Sequence, residues 1–375
     1  MCHQVFFWEM VRIVVVGAGV VGLTSALEFL KDKSNEITIV AQQFPTDYNH
    51  STIYTSPIAG ANWHSFAPKE DKFTQEIDIV GYYKFKELSR IPESGVTSRK
   101  EKFYVTLDKF YNVYSGKKML PWYAHGEFAK LINFRELEAG EYSRDKFAYG
   151  FEFDGFVIRT SYYMTYLINE MWRLSGSYEM TNSRFNLRRK SIKKLSDAFD
   201  LHHNGKADLV VNCTGLLARD LDDIGKIEKT KMYPVRGIVY IVENNTGMKD
   251  NTFVDIFDIE HPDERMYFMP RREGELLIGG VFEEENESQY ADPGFLVRLV
   301  SRCNKYLPQF DWDNIKVIRT QVGYRPFRKG GYRIEKVGDI VHCYGMGAAG
   351  FQSSWGSANK VVGLVSGSKP IKSKF

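Results

Sequence analysis

The chain lacks most of what marks a small stapled fold, a membrane protein or a nucleic-acid binder. Its four cysteines, Cys2, Cys213, Cys303 and Cys343, are scattered over 375 residues and form no Cys-x-x-Cys pair. That spacing supports neither a zinc site nor a disulfide framework, and a reducing compartment fits it. Cys213 lies inside an apolar run and is expected as a buried free thiol. No apolar run approaches the ~18 residues a spanning helix needs, so no membrane partner is expected. Charge of one sign is missing too: 50 Lys and Arg face 47 Asp and Glu, a net +3. Without a dense basic stripe interleaved with aromatics, nucleic acid is not expected either. His202-His203 has no further ligands at metal spacing; it reads as a surface pair, and no metal is expected. No repeat or low-complexity linker breaks the chain. The first ten residues carry neither the basic start nor the long apolar stretch of a secretory signal and read as an unstructured extension.

What is present is a globular composition, 43% hydrophobic and 26% charged, in a chain long enough for two closely packed domains. Residues 11–16 are β-branched and continuously apolar, as a buried parallel strand should be. A glycine turn follows, then a helix over residues 23–30 and a second strand over residues 37–40. Residues 70–150, rich in Tyr, Phe and charge, read as an α+β insertion. Residues 192–201 read as a strand or turn segment, and residues 209–213 as another buried strand. Alternating segments between 233 and 281 suit an antiparallel sheet with one solvated face. A strand over 340–344, a glycine turn and a helix over 353–365 close the pattern.

The fold class implied is α/β: a discontinuous Rossmann-type domain with an inserted α+β domain on a mixed antiparallel sheet. The nucleotide domain is expected over 11–68, 151–225 and 318–366. The substrate domain is expected over 69–150 and 226–317, with a tail over 367–375.

Gly17-Ala18-Gly19-Val20-Val21-Gly22 follows the first strand and opens the helix. Gly17 allows the tight turn, Gly19 lets backbone approach a pyrophosphate, and Gly22 lets helix and strand pack closely. The helix dipole then favours the anion. Flanked by strands on both sides, this predicts dinucleotide binding. The acidic residue usually found at the end of the second strand is absent; Gln42 and Gln43 stand there, and a glutamine carbonyl can accept the same ribose hydrogen bond.

Two stretches favour FAD over NAD. Residues 55–63 form a small-residue loop, with Gly60, Ala61 and Asn62, that can lie against a large planar ring. Gly347, Ala348, Ala349 and Gly350 open a second helix N-terminus, able to stabilise negative charge on a reduced flavin.

At these residues the sequence resembles the D-amino-acid oxidase family, including its D-aspartate oxidase branch. The marks run in order: residues 14–23, Ser56-Pro57-Ile58-Ala59-Gly60-Ala61-Asn62-Trp63, residues 210–215, Tyr233-Pro234-Val235-Arg236-Gly237, residues 267–270 through Gly279-Gly280, Gly323-Tyr324-Arg325-Pro326, and residues 344–356. The Ser-Pro-x-Ala-Gly-Ala-Asn-Trp form looks like that of fungal members. The resemblance implies non-covalent FAD and hydride transfer from the substrate Cα to flavin N5. The reduced flavin then passes its electrons to oxygen, giving hydrogen peroxide. The imino acid hydrolyses to a 2-oxo acid and ammonia. No general base is required, so the lack of a Ser-His-Asp set is expected.

The resemblance also implies residue roles. Arg325 matches the carboxylate-binding arginine, whose planar fork offers two parallel donors. Tyr267 matches the tyrosine that joins it. Asp263, four residues earlier, stands where many members carry a lid tyrosine, so the loop 256–265 serves otherwise. Gln352, after Phe351, is placed near the flavin pyrimidine edge, Ser51 and Thr52 near the phosphates, and Gly215 at the cofactor. Ala348 and Asn62 line the substrate.

Phe282 follows Gly279-Gly280-Val281 where the mammalian aspartate branch has an arginine, which favours neutral side chains. Glu283-Glu284-Glu285 would oppose an anionic substrate, although such a run also reads as a solvated loop. Arg265, Arg271 and Arg272 keep D-aspartate open, because a buried carboxylate needs a second cation.

A D-aspartate oxidase, a broader amine or glycine oxidase, and a non-catalytic flavin- or NAD-binding regulator stay open beside the leading reading. An NAD-dependent dehydrogenase is disfavoured by the discontinuous organisation. Ser373-Lys374-Phe375 resembles the Ser-Lys-Leu peroxisomal address, making an import receptor an expected partner and the peroxisome the expected location. An oligomer is left open.

Overall fold

The computed structural model describes residues 10–176 and 183–367. Residues 1–9 and the Ser373-Lys374-Phe375 tripeptide therefore lie outside the described part. The chain forms two compact units, one built from Met1–His50, Met164–Tyr233 and Pro326–Phe375, the other from Ser51–Tyr163 and Pro234–Arg325.

Among the described residues the first unit holds a six-stranded sheet. Its order is Arg333–Val337, Ile340–Tyr344, Leu209–Asn212, Val11–Val16, Asn35–Ala41 and Phe185–Arg189. All neighbours run parallel except the first pair. The central strand is apolar over its whole length because it is covered on both faces; Ile13, Val14 and Val15 have no exposed surface. The helix Val20–Leu30 crosses between the first two parallel strands and buries most of its residues. This is the Rossmann-type arrangement expected from the sequence.

The second unit holds a nine-stranded mixed sheet. Antiparallel pairs dominate, and Val96–Thr106 runs parallel to Asn251–Asp255. Side chains alternate across it. On one face Phe268, Ile238 and Ile278 pack with Phe295, Leu299 and Cys303 of the helix Pro293–Tyr306. That helix starts cleanly because Asp292 accepts from Gly294 N–H and Pro293 fills the first position. Tyr267, one residue before Phe268, belongs to the opposite face and packs with Val239, Ile241, Met269 and Leu277.

The expected domain boundaries at 68, 151, 225 and 318 fall elsewhere: the units change near 50, 163, 233 and 325. Residues 51–68 join the second unit because their backbone continues its sheet. Ala61 and Ile158 exchange N–H to carbonyl bonds of 3.1 and 2.7 Å, and Trp63 N donates to Phe156 O. The strand supplying those partners, Phe147–Ile158, belongs wholly to that sheet.

Of the two readings left open for residues 192–201, the turn is the one formed: Leu195–Leu201 is a 3-10 turn. One local expectation is corrected. His202-His203 is not a surface pair. His202 is buried with Nε2 3.1 Å from the Glu36 carbonyl, and His203 Nδ1 lies 2.6 Å from Thr38 Oγ1. Burial lowers the His202 pKa to about 4, so it packs as a neutral ring against the second strand.

Candidate functional site

In the first unit the glycine turn has the predicted shape. Gly17 sits at φ 111°, and a Cβ there would lie 2.4 Å from the Cys213 carbonyl oxygen. A Cβ on Gly22 would lie 2.0 Å from the Gly17 carbonyl oxygen. Both positions are therefore closed to any side chain. Ala18 is buried ahead of Gly19, which caps a helix beginning with Val20 and Val21; its first turn holds no acidic residue. Nothing there repels an approaching anion.

At the end of the second strand Gln42 is exposed and its carbonyl accepts from Arg189 Nη1 at 3.0 Å. Gln43 is half-buried beside it. The nearest acidic residue, Asp47, is already bound by both terminal nitrogens of Arg189, which hold its pKa at about 2. The absent acidic residue is thus not replaced from nearby in the chain.

Gly215 opens a 3-10 turn immediately after the strand Leu209–Asn212. Gly347, Ala348 and Ala349 form another after Ile340–Tyr344, leading through Gly350 to the helix Ser354–Ser366. Phe351 and Gln352 are buried at its approach, while Ala348 is exposed. The first unit therefore places glycine turns after three neighbouring parallel strands, where an open α/β sheet binds its ligand. The narrow turns and the two helices without acidic first turns fit FAD. Gly17 to Gly22, Gln42, Gln43, Gly215 and residues 347–352 are the residues here that would hold it.

The second unit carries Arg325 and Tyr267. Arg325 Nη1 donates to the carbonyls of Val281 at 2.8 Å and Arg236 at 3.2 Å. Its guanidinium lies 4.0 Å from the centre of the Phe282 ring and close enough to the Tyr267 hydroxyl for each to shift the other's pKa. Burial lowers the arginine's pKa, which the tyrosine partly restores; the guanidinium stays charged. Burial raises the Tyr267 pKa, against the pull of Arg325. Two glycines make room for this pair. A Cβ on Gly280 would lie 2.1 Å from Tyr267 Oη, and one on Gly237 would lie 2.6 Å from Arg325 Nη2. Phe282, expected as a wall for the substrate side chain, here lies under the guanidinium.

Of the three candidate second cations, one is engaged elsewhere and one is exposed. Arg271 bonds Glu275 at 3.2 Å and the Gly60 carbonyl at 2.6 Å. Arg272 is exposed beside Arg159 and Glu273. Arg265 alone lies near Arg325, 5.8 Å from the Phe282 ring, with Nη1 on the Pro262 and Glu264 carbonyls. Glu283 is no free charge: it pairs with buried Arg236 and accepts from Asn286. The acidic run is therefore partly neutralised rather than simply solvated.

Ser51, Thr52, Gly60, Ala61 and Asn62 all fall in the second unit. Thr52's carbonyl accepts from Tyr324 N at 3.0 Å, and Asn62 bridges Val157. The loop they form is fastened by Thr160 Oγ1 to the Pro57 carbonyl and by Arg271 to Gly60. Sequence reasoning missed Glu101, which binds Asn62, and Phe253, stacked flat on Tyr267 at 6.4 Å. The alternation of Glu101 and Phe103 on one strand was the available signal.

A turn that refuses side chains, placed between a parallel strand and a helix with no acid in its first turn, fits a dinucleotide's pyrophosphate. Residues 12–364 match the model of the FAD dependent oxidoreductase family, and the chain belongs to that family. Its cofactor is FAD. A D-amino-acid oxidase of Fusarium vanettenii is 34% identical, over 97% of this chain and 99% of its own. A D-aspartate oxidase of Talaromyces thermophilus is 26% identical, over 97% of each chain. In fold, the crystal structure of glycine oxidase from Geobacillus kaustophilus is similar with a TM-score of 0.70, covering 96% of each chain at 16% identity.

Proposed function

We propose that the protein oxidises D-amino acids to 2-oxo acids and ammonia, with neutral side chains preferred. The observation that carries this reading is the placing of Arg325 near Tyr267, a charged planar donor and a hydroxyl each given room by a glycine, Gly237 and Gly280. Such a pair suits a carboxylate, which accepts two parallel N–H bonds and a third from the hydroxyl. Phe282 keeps the guanidinium flat, and the carbonyls of Val281 and Arg236 fix its edge. The chain's task is alignment: the carboxylate is anchored so that the Cα hydrogen meets the cofactor. Bound FAD supplies the two-electron acceptor for that hydrogen and returns the electrons to oxygen, yielding hydrogen peroxide. Among the described residues no group of His, Cys, Asp or Glu is arranged to hold a metal.

A second reading, D-aspartate oxidase, is favoured by Arg265 alone, the one candidate second cation near the pair. A peroxide assay over D-alanine, a bulky neutral D-amino acid and D-aspartate separates the two. Turnover of the neutral substrates above D-aspartate supports the first; a wide margin for D-aspartate overturns the stated preference.

A further inference from the structure

Glu101 is a carboxyl group with almost no contact with water, 5% exposed, and the chemistry above makes no use of it. Its hydrogen-bond partners are two neutral amides. Asn62 Nδ2 lies 3.2 Å from both carboxyl oxygens, and the Asn251 amide lies 2.5 Å from Oε1. We infer that Glu101 is a positioning residue, a carboxylic acid held neutral inside the second unit that fastens the Gly60-Ala61-Asn62 loop to the sheet carrying Tyr267. This rests on the reading that the loop borders the flavin and the substrate.

The sheet register places the group. Glu101 stands opposite Asn251, and two residues on Phe103 stands opposite Phe253, which stands opposite Tyr267. With side chains alternating, these five share one face. Phe103 stacks on Phe253 at 4.7 Å, and Phe253 on Tyr267. Glu101 thus sits at the end of a stacked row leading to the carboxylate-binding tyrosine.

Among the described residues, no cation is paired with Glu101. The lysines of its own strand turn elsewhere: Lys100 pairs with Asp154 at 2.8 Å and Lys102 with Asp250 at 2.9 Å. Asp250 is a like charge. From the loop, His64 is half-buried, and desolvation lowers its pKa to about 4. Tyr123 is buried and stays un-ionised, and Asp78 beside it bonds Ser65 Oγ at 2.6 Å. Gly155 gives no side chain at all; a Cβ there would lie 2.3 Å from Glu101 Cγ. Burial outweighs the two amide bonds and raises the Glu101 pKa to about 8.

A protonated acid needs an acceptor, and Asn251 can provide one. Its Oδ1 is buried and without a hydrogen-bond partner. Oxygen and nitrogen of an amide exchange places by a half-turn. Turned so, Asn251 accepts from the Glu101 hydroxyl at 2.5 Å, the short end of the range for O–H···O and below that for N–H···O. Asn62 then donates to the remaining oxygen. Ionisation replaces this arrangement with a buried anion and loosens the loop.

The test compares the FAD-bound wild type with Glu101→Gln and Glu101→Ala, following kcat/KM for D-alanine from roughly pH 6 to roughly pH 10. In the wild type kcat/KM falls about tenfold per pH unit above about pH 8. Glu101→Gln, a neutral isostere, lacks that fall. Glu101→Ala is impaired about tenfold or more at every pH, as loss of two hydrogen bonds requires. An identical alkaline fall in Glu101→Gln overturns the inference, as does a wild type without one. Infrared difference spectra of the wild type over the same range need neither turnover nor a folded variant. A carboxylic-acid carbonyl band that disappears near pH 8 supports the inference; no such band overturns it and leaves the D-amino-acid reading standing.

Discussion

Arg325 takes its orientation from three directions: two carbonyls on one nitrogen, an aromatic ring beneath, and a phenol beside it. A lysine reproduces the charge but neither the flat stacking nor the parallel donors. Arg325→Lys is therefore expected to lose nearly as much as Arg325→Ala, about 100-fold in kcat/KM for D-alanine, or about 3 kcal/mol. Steady-state assays on flavin-loaded protein check this, and a lysine variant within a few-fold of wild type contradicts it. Arg265 is tested by a ratio instead. Its cation lies near the pair and would meet a side-chain carboxylate. Arg265→Ala is expected to lower the D-aspartate to D-alanine ratio of kcat/KM about tenfold, one charge-assisted hydrogen bond's worth. An unchanged ratio removes Arg265 from specificity. These roles were partly legible beforehand, since Arg325 and Tyr267 stand in recognisable strings. The platform role of Phe282 was not, because a cation stacked on an aromatic ring depends on which strands become neighbours.

At the scale of elements, the glycine turn and the strands around it make separate demands. Gly17→Ala adds a Cβ where the Cys213 carbonyl already lies, on a backbone with φ 111°. The variant is expected to purify with little of the visible flavin absorbance of wild type, a loss of several kcal/mol from clash and backbone strain. Full flavin content would refute the tight packing described. A second element-level device is Glu228, fully buried between Arg328 at 2.9 Å and Arg333 at 3.1 Å. Burial raises its pKa, but the two arginines more than offset this and hold it below the ordinary value. A lowered carboxyl pKa contributes stability that is present above the unfolded value and lost as pH falls through the folded one. Glu228→Gln should lower stability by about 3 kcal/mol at neutral pH. In thermal melts its gap from wild type should narrow on acidification below about pH 4.5. A constant gap contradicts the pairing.

The buried parallel strands of the first unit were readable because apolar runs and glycines mark them locally. The His202 burial was not, because a polar residue satisfied by distant backbone looks like a surface residue in a sequence.

For the whole molecule, the chain enters the first unit three times and the second twice. That interleaving was legible from the recurrence of strand–glycine–helix units, but its seams were not. Residues 51–68 read as a continuation of the opening nucleotide segment, and only their pairing with Phe147–Ile158 assigns them to the other unit. Glu101 escaped notice for the same reason: its partners at 62 and 251 are far away in sequence. The central claim is that this flavoprotein takes hydride from D-amino acids held by Arg325. It is tested most directly by mixing the purified yellow protein anaerobically with D-alanine and, separately, with L-alanine. D-alanine should bleach the flavin, L-alanine should leave it yellow, and readmitted air should restore the colour with release of hydrogen peroxide. A colourless protein, or a flavin untouched by any D-amino acid, would contradict the claim.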